Sequence, residues 1–370
     1  MAKRFDCIRI ISFGGLNDPV RPVADNCIVD DRVQCIRRKR ILRGLLGLWR
    51  VLPVYVKDLF CAKPYRKKKT LKLWAISMLC TSYYLQSKPV KELRKKNLDD
   101  TVFYFYWGVI YNSIAHFFKG KVKMVSRFHG DWDLWDSNDN EGYKPIRKAT
   151  IDALSIAAII SRKGESFFKE NHPQCLTVVS HLGSIDNGIA QKSDDGIIRV
   201  LSCSSVYPIK RVSFIMESLK EVSRIRRIEW THIGDGPDFE QLKIMVDAAK
   251  SDTFIVNLKG RVSHEEVMNY YKTHCVDLFI NLSTNEGVPV AIMEAISFDV
   301  PIVATDVGGT SEIVNDQTGV LVSSNPTKKE VANAIIEVLE NTAFSPRKYW
   351  ELEFDAKKNY SDFAEMLYGL

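Results

Sequence analysis

The chain has 370 residues, 45% hydrophobic and 26% charged, an ordinary globular composition whose length suits two domains. Its eight cysteines (7, 27, 35, 61, 80, 175, 203, 275) include no C-x-x-C pair, which argues for reduced, mostly buried thiols and against a disulfide framework or metal cage. Neither a signal peptide nor an apolar run of about 20 residues is present, so no membrane span is expected despite a net charge of +7.

In chain order, Cys7 to Phe13 reads as a strand. Between Arg37 and Lys72 stand thirteen Lys or Arg residues against one acid, Asp58, interrupted by apolar residues such as Ile41, Leu42, Leu45, Leu46, Trp49 and Leu52. Such a basic amphipathic stretch fits an anionic membrane surface. A solvated face or a patch for an acidic substrate reads the same charges, and nucleic acid is disfavoured because no recognised nucleic-acid motif accompanies them. Helices are expected around 39–62, 71–86, 108–119 and 145–170. The aromatic run Val102 to Tyr111 reads as a buried strand entering a helix, and Val122 to Ser126 and Leu176 to Ser180 as further strands. The polar segment Gly183 to Gly196 has linker composition and places a domain boundary.

The second half is more regular. Short apolar strands at 197–201, 228–233, 253–258, 276–282, 301–304 and 320–322 alternate with helical patterns. Val212, Ile215, Met216, Leu219 and Val222 recur at spacings of three and four, and Lys328 to Asn341 behaves likewise. This alternation predicts an α/β fold with a parallel sheet covered on both faces, whose ligands bind at the carboxyl ends of the strands. The loops Ser202 to Lys210, Gly234 to Pro237, Asn285 to Pro289 and Asp306 to Thr310 all follow strands and are expected to gather on one edge. In Asn285-Glu286-Gly287-Val288-Pro289, a strand breaks at a glycine and feeds a helix, with Pro289 expected at the first helical position. That arrangement presents free amides and a positive dipole end to a phosphate. Two carboxylates, Glu286 and Glu294, flank it, which suits a ligand bearing hydroxyls on both sides of its phosphate, such as a nucleotide-sugar.

Four elements occur in order: Val206-Tyr207-Pro208-Ile209-Lys210-Arg211, His232-Ile233-Gly234-Asp235-Gly236-Pro237, Glu286-Gly287-Val288-Pro289 to Glu294, and Asp306-Val307-Gly308-Gly309-Thr310-Ser311-Glu312. Together they make residues 197 to 341 resemble the donor domain of retaining glycosyltransferases of family 4, the group 1 glycosyltransferases. Ser126-Arg127-Phe128-His129-Gly130 and Tyr104-Phe105-Tyr106-Trp107 are more faintly similar to acceptor domains of members that build bacterial surface polysaccharides. The resemblance implies a GT-B fold of two Rossmann-like domains facing a cleft. The acceptor domain would span 1–190, the donor domain 197–345, and closing helices 346–370.

The family pattern also implies roles. Lys210, with Arg211, would hold the donor diphosphate. Glu286 would bind sugar hydroxyls, Glu294 the ribose, and the amides of Gly287 and Val288 the phosphate or sugar. Gly234 and Gly236 would line the donor site, and Arg261 lies where the family holds the base. His129 would face the donor sugar, with Arg127 and Gly130 on the acceptor side. Ser205 stands where the family often carries an arginine, leaving the diphosphate one charge short unless Arg211 or Arg261 substitutes. No metal or cofactor is implied. Asp131 and Asp133 are expected to cap the next segment, and His264, Glu265 and Glu266 to open a helix without chemistry. Gly308 and Gly309 are expected to make a tight turn.

One departure concerns the start of the chain. Phe5 to Phe13 looks like the family's second strand, although Gly14-Gly15 could be a shortened first loop. On the second-strand reading, the acceptor domain lacks its first βα unit. The expected function is transfer of a sugar, with retention, from a nucleotide diphosphate sugar to a hydroxyl acceptor, with a lipid-linked saccharide at the cytoplasmic membrane face as the expected acceptor. A non-catalytic truncated binding protein and a GT-B sugar-nucleotide epimerase are the alternatives.

Overall fold

The computed structural model describes residues 2–12, 23–33, 37–130, 133–135 and 142–370, apart from the side chains of Ala2 and residues 37–39. Phe13, Gly14, Gly15, Cys35, Asp131 and Trp132 lie outside the described residues. The chain divides into two units, Met1–Ser180 with Tyr360–Leu370, and His181–Asn359. The first break thus falls at Ser180, ahead of the polar linker, and the chain's last residues belong to the first unit.

The first unit opens with strands β1 (Ile8–Ile11) and β2 (Cys27–Asp30), paired in parallel as a separate two-stranded sheet. Asp30 anchors them: Arg9 and Arg32 both donate to its carboxylate and also reach Glu92. Helices α1 (Arg37–Leu46), α2 (Leu48–Cys61), α3 (Lys68–Gln86) and α4 (Lys88–Leu93) come next. The second sheet then orders as β3 (Val102–Phe105), β4 (Lys123–Phe128), β5 (Ile156–Ile159) and β6 (Thr177–Val179), all parallel, with α5 (Arg147–Ile151) and α6 (Arg162–Asn171) in the crossovers. The expected opening strand therefore forms, but among the described residues it pairs with β2 and not with this sheet.

Two further expectations change. The segment 145–170 is helix, strand, helix rather than one helix. Ile156-Ala157-Ala158-Ile159 is buried on both faces, so it lacks the alternation that marks a half-exposed strand, and alanine reads as helical. Residues Ile110–Phe118 wind as a 3-10 helix rather than an α-helix. The thiols are also less buried than expected: Cys7 and Cys61 are exposed, and the other five described cysteines are partly exposed.

The second unit holds β7 (Ile197–Cys203), α7 (Val212–Val222), β8 (Arg227–Ile233), α8 (Phe239–Ala249), β9 (Phe254–Leu258), α9 (His264–Thr273), β10 (Leu278–Asn281), α10 (Val290–Ser297), β11 (Ile302–Thr305), β12 (Gly319–Val322), α11 (Lys328–Glu340) and α12 (Pro346–Glu353). Its six strands are parallel in the order β9-β8-β7-β10-β11-β12. The winding direction reverses between β7 and β10, where Leu278 pairs with Val200 and Phe279 with Leu201. A crevice opens at such a reversal because the flanking connections leave on opposite sides. The five apolar residues spaced along α7 are all buried against the sheet, as their periodicity predicts.

Helix α13 (Ala356–Tyr368) starts in the second unit, and its residues from Tyr360 belong to the first. Within the first unit, Phe363 and Leu367 pack on Val125 and Ala158, closing one face of the sheet. Truncating Phe363, which is 3% exposed, to alanine is expected to destabilise this unit by about 3 to 5 kcal/mol. Urea denaturation followed by tryptophan fluorescence checks it; an unshifted midpoint would show that α13 is not part of that core.

Candidate functional site

The loops at the carboxyl edge of the second unit's sheet are fastened to one another by backbone hydrogen bonds. The Val206 amide donates to Asp235 O (3.0 Å), the Gly234 amide to Gly260 O (2.9 Å), the Thr284 amide to Ile209 O (2.8 Å) and the Gly309 amide to Gly287 O (2.7 Å). The four motif-bearing loops thus share one edge. Two glycines permit this spacing. Gly234 (φ +147°) and Gly308 (φ +54°) adopt backbone angles that side chains disfavour, and a Cβ on either would collide with the carbonyl of Ser204 or Glu286. Gly308 thus serves the turn, as its sequence context predicts.

On this edge, Lys210 donates from Nζ to Glu286 Oε1 at 2.6 Å, and Asn281 Nδ2 approaches the same oxygen at 3.2 Å. Lys210 ends a 3-10 turn (Pro208–Lys210), and Glu286 lies beyond β10, so two predicted residues from different loops meet. Asn281, at the end of β10, is a site residue that the sequence did not flag; its strand position hid it. Arg211 sits in the left-handed region (φ 47°) at the start of α7 and donates to Ser324 O at 2.6 Å, so its guanidinium is tied to the loop after β12. Ser205 and Arg261 are exposed.

Pro289 is the residue preceding α10 rather than its first residue, and its carbonyl receives the Ile292 amide at 3.1 Å. The amides of Gly287, Val288, Val290 and Ala291 find no protein acceptor among the described residues, the usual state of a helix start and a ready site for an anion. One turn further on, Glu294 is largely buried. Burial pushes its carboxyl above the ordinary value, and the imidazole of His264 pulls it partly back. His264 Nε2 lies 2.8 Å from Glu294 Oε1. The capping box of Ser263 and Glu266 fixes the start of α9 and hence that imidazole. His264 therefore does more than open a helix. The signal was weak, because a 30-residue separation conceals a side-chain pair. Glu294 also faces Cys203, whose thiol burial and this carboxylate push up to about 12.

Beneath the Gly234 loop, His232 is fully buried. Trp230 Nε1 donates to Ser202 Oγ (2.9 Å), which leaves the hydroxyl proton for His232 Nδ1 (2.8 Å). Burial lowers the His232 pKa to about 4, so the ring is neutral at pH 7.

The first unit carries its own cluster. His129, just past β4, packs between the half-exposed rings of Tyr106 and Trp107, with centroids 4.8 and 4.2 Å away. Asp133 turns back onto the loop before it instead of capping the next segment. It accepts the amides of His129 (2.7 Å), Gly130 (2.9 Å) and Gly108 (3.1 Å), and His129 Nδ1 lies 3.4 Å from it. Among the described residues His129 Nε2 has no hydrogen-bond partner. Two expected acceptor-side residues do not fit that position. The Gly130 amide is consumed by Asp133. Arg127 is fully buried: strand alternation turns it away from Ser126 and Phe128, onto Ser180 (2.8 Å) and the ring of Phe363 (4.3 Å).

Residues 198–341 match the family model for glycosyl transferases of group 1. The alpha-monoglucosyldiacylglycerol synthase of Acholeplasma laidlawii is 29% identical over 138 residues, 37% of this chain and 32% of that protein, so the match spans only about a third of the relative's length. The solved lipopolysaccharide outer core galactosyltransferase WaaB has a TM-score of 0.63 at 18% identity, over 79% of this chain and 81% of its own. Anabaena HepE, solved in complex with UDP, has a TM-score of 0.55 at 18% identity, over 67% of this chain and 73% of its own. At these identities the structural likeness carries the fold, the two Rossmann-like domains of the GT-B class.

The neutral His232 gives the second unit a pH dependence. With the folded pKa depressed to about 4 and the unfolded value near the ordinary one, its contribution is full above about pH 6.5 and lost as pH falls toward 4, on the order of 3 kcal/mol in all. Melting curves from pH 7 to 4.5 are expected to fall more steeply for the native chain than for His232→Gln. Parallel curves would show that this histidine does not set the pH dependence.

Proposed function

We propose that this chain, whose residues 198–341 form a group 1 glycosyltransferase domain, transfers a sugar from a nucleotide diphosphate sugar to a hydroxyl acceptor, with retention of configuration. The observation that carries the reading is the meeting of Lys210 and Glu286 at the sheet's reversal point, beside the amide-rich start of α10. A cation held 2.6 Å from a carboxylate stays poised without a ligand, and an arriving diphosphate replaces that carboxylate as its partner. Glu286 is then released to accept hydrogen bonds from sugar hydroxyls.

The chemistry rests on charge. As the glycosidic bond to the diphosphate breaks, negative charge grows on the leaving oxygen. Lys210 and the amides of Gly287, Val288 and Val290 stabilise it, strongly because they are fixed before the reaction begins. Glu294, held by His264, accepts from the ribose hydroxyls. No carboxylate or other nucleophile is needed on the far side of the sugar in this scheme: the departing diphosphate takes the acceptor proton, and the acceptor enters on the same face. His129 belongs to the acceptor side. Support for a uridine donor comes from the HepE complex with UDP, and support for a lipid-linked acceptor from the glycolipid named as the product of the Acholeplasma relative. Such a reaction would run on the cytoplasmic side of the membrane.

The test is turnover with UDP-sugars and a lipid acceptor. Lys210→Ala is expected to lower kcat by about 10²- to 10³-fold. Glu294→Gln is expected chiefly to raise KM for the donor. The anomeric proton coupling of the product reports retention. Undiminished turnover in Lys210→Ala would overturn the assignment, and an inverted product would overturn the same-face step.

A further inference from the structure

We propose that the outer face of α1 and α2, together with the basic turn after them, docks this chain on an anionic lipid surface. The inference is independent of the sugar-transfer reading. Both helices are fixed on their inner side by α3. Ser82 Oγ donates to Gly44 O (2.6 Å), the Tyr55 hydroxyl meets Ser77 (2.7 Å) and Thr81 (2.8 Å), and Trp74 Nε1 donates to Tyr55 O (3.1 Å). Tyr55 and Val51 are completely buried, so the opposite side must face outward.

That outer side is apolar. Leu42, Leu45 and Leu46 lie on one arc of α1, and Trp49, Leu52 and Phe60 on one arc of α2, at the three- and four-residue spacings of a single helix face. Trp49 is 69% exposed, and Leu46 and Phe60 are each 67% exposed, although each could have been buried had a partner lain over it within this unit. A solvated helix face does not concentrate leucine and tryptophan in this way.

The border of the patch names its partner. Arg43, Arg50 and Lys57 lie on these same helices. Beyond α2 the chain turns through exposed Lys63 and Arg66 into exposed Lys68 and Lys69, which open α3. The sole acid in this stretch, Asp58, is half-buried and accepts the Tyr143 hydroxyl, and it stands against the seven Lys and Arg residues just named. Apolar side chains that need hydrocarbon, edged by cations that need phosphate, match the headgroup–acyl boundary of an anionic bilayer. A nucleic acid would satisfy the cations but leave Trp49 and the leucines in water. Among the described residues no helix is long and apolar enough to cross a membrane, so the contact is one of lying on the surface.

The experiment is cosedimentation of the full chain, without sugar nucleotide, with vesicles of phosphatidylcholine alone or with 30% phosphatidylglycerol. The native chain is expected to bind the anionic vesicles and to dissociate as salt rises. Leu46→Ser, Trp49→Ser and Phe60→Ser combined are expected to lower binding at least tenfold with the circular dichroism unchanged. Replacing Lys68 and Lys69 by glutamine should cost roughly fivefold per charge on the anionic vesicles. Failure of the native chain to bind overturns the proposal, as does unchanged binding of the serine triple variant. If instead the native chain forms a dimer that the serine variant abolishes, and neither binds vesicles, the face belongs to a second copy and the lipid assignment is wrong. Turnover with a soluble acceptor, unchanged in these variants, keeps this outcome separate from the fate of the transferase reading.

Discussion

The candidate donor site depends on the near contact of neighbouring loops at the carboxyl edge of one parallel sheet. Adjacent strands lie about 4.8 Å apart, so the loops that leave them have little room. Here they use it by hydrogen-bonding backbone to backbone, Val206 to Asp235, Gly234 to Gly260, Thr284 to Ile209 and Gly309 to Gly287. Gly234 and Gly308 are the points at which a side chain would force the loops apart. Such interlocking removes conformational freedom from the loops before any ligand arrives, which is the condition under which fixed dipoles and charges act most strongly on a ligand.

The charge arrangement is built on that frame. Lys210 and Glu286 come from loops on opposite sides of the β7–β10 reversal, and Thr284 bonded to Ile209 holds those loops together. His264 opens α9, after β9, and Glu294 lies one turn into α10, after β10. In each pair the partner side chain keeps a half-buried carboxylate from standing alone, a cost that would otherwise weigh against folding. The candidate site can therefore be charged and stable at once, and on the proposed reading a diphosphate or ribose would enter by exchanging partners rather than by creating new charge. The buried neutral His232 with Ser202 and Trp230 forms the floor beneath the Gly234 loop.

Much of the second unit was legible in the sequence because its signals are local. A strand, a glycine turn and a capped amphipathic helix repeat along the chain, and α7 buries the five residues that its spacing selects. The loop motifs carried Lys210, Glu286 and Glu294 for the same reason. The features that stayed hidden are non-local or two-faced. β5 is buried on both sides and so lost its alternation. The His264–Glu294 pair joins residues 30 apart, and Asn281 sat inside a strand pattern. Arg127 and Gly130 were placed on the acceptor side by their neighbours in the motif, whereas strand alternation buries the arginine and Asp133 occupies the glycine amide. The exposed face of α1 and α2 was half legible: charge and apolar spacing stood in the sequence, but only packing on α3 shows which side is left uncovered.

Hydrogen–deuterium exchange of the full chain with and without a UDP-sugar tests the central claim, that the four loops form one donor site. Slowed exchange is expected to appear together in 204–211, 234–237, 284–294 and 306–312, and Lys210→Ala is expected to weaken it throughout at the same ligand concentration. Protection confined to a single loop, or located away from the β7–β10 edge, would contradict it.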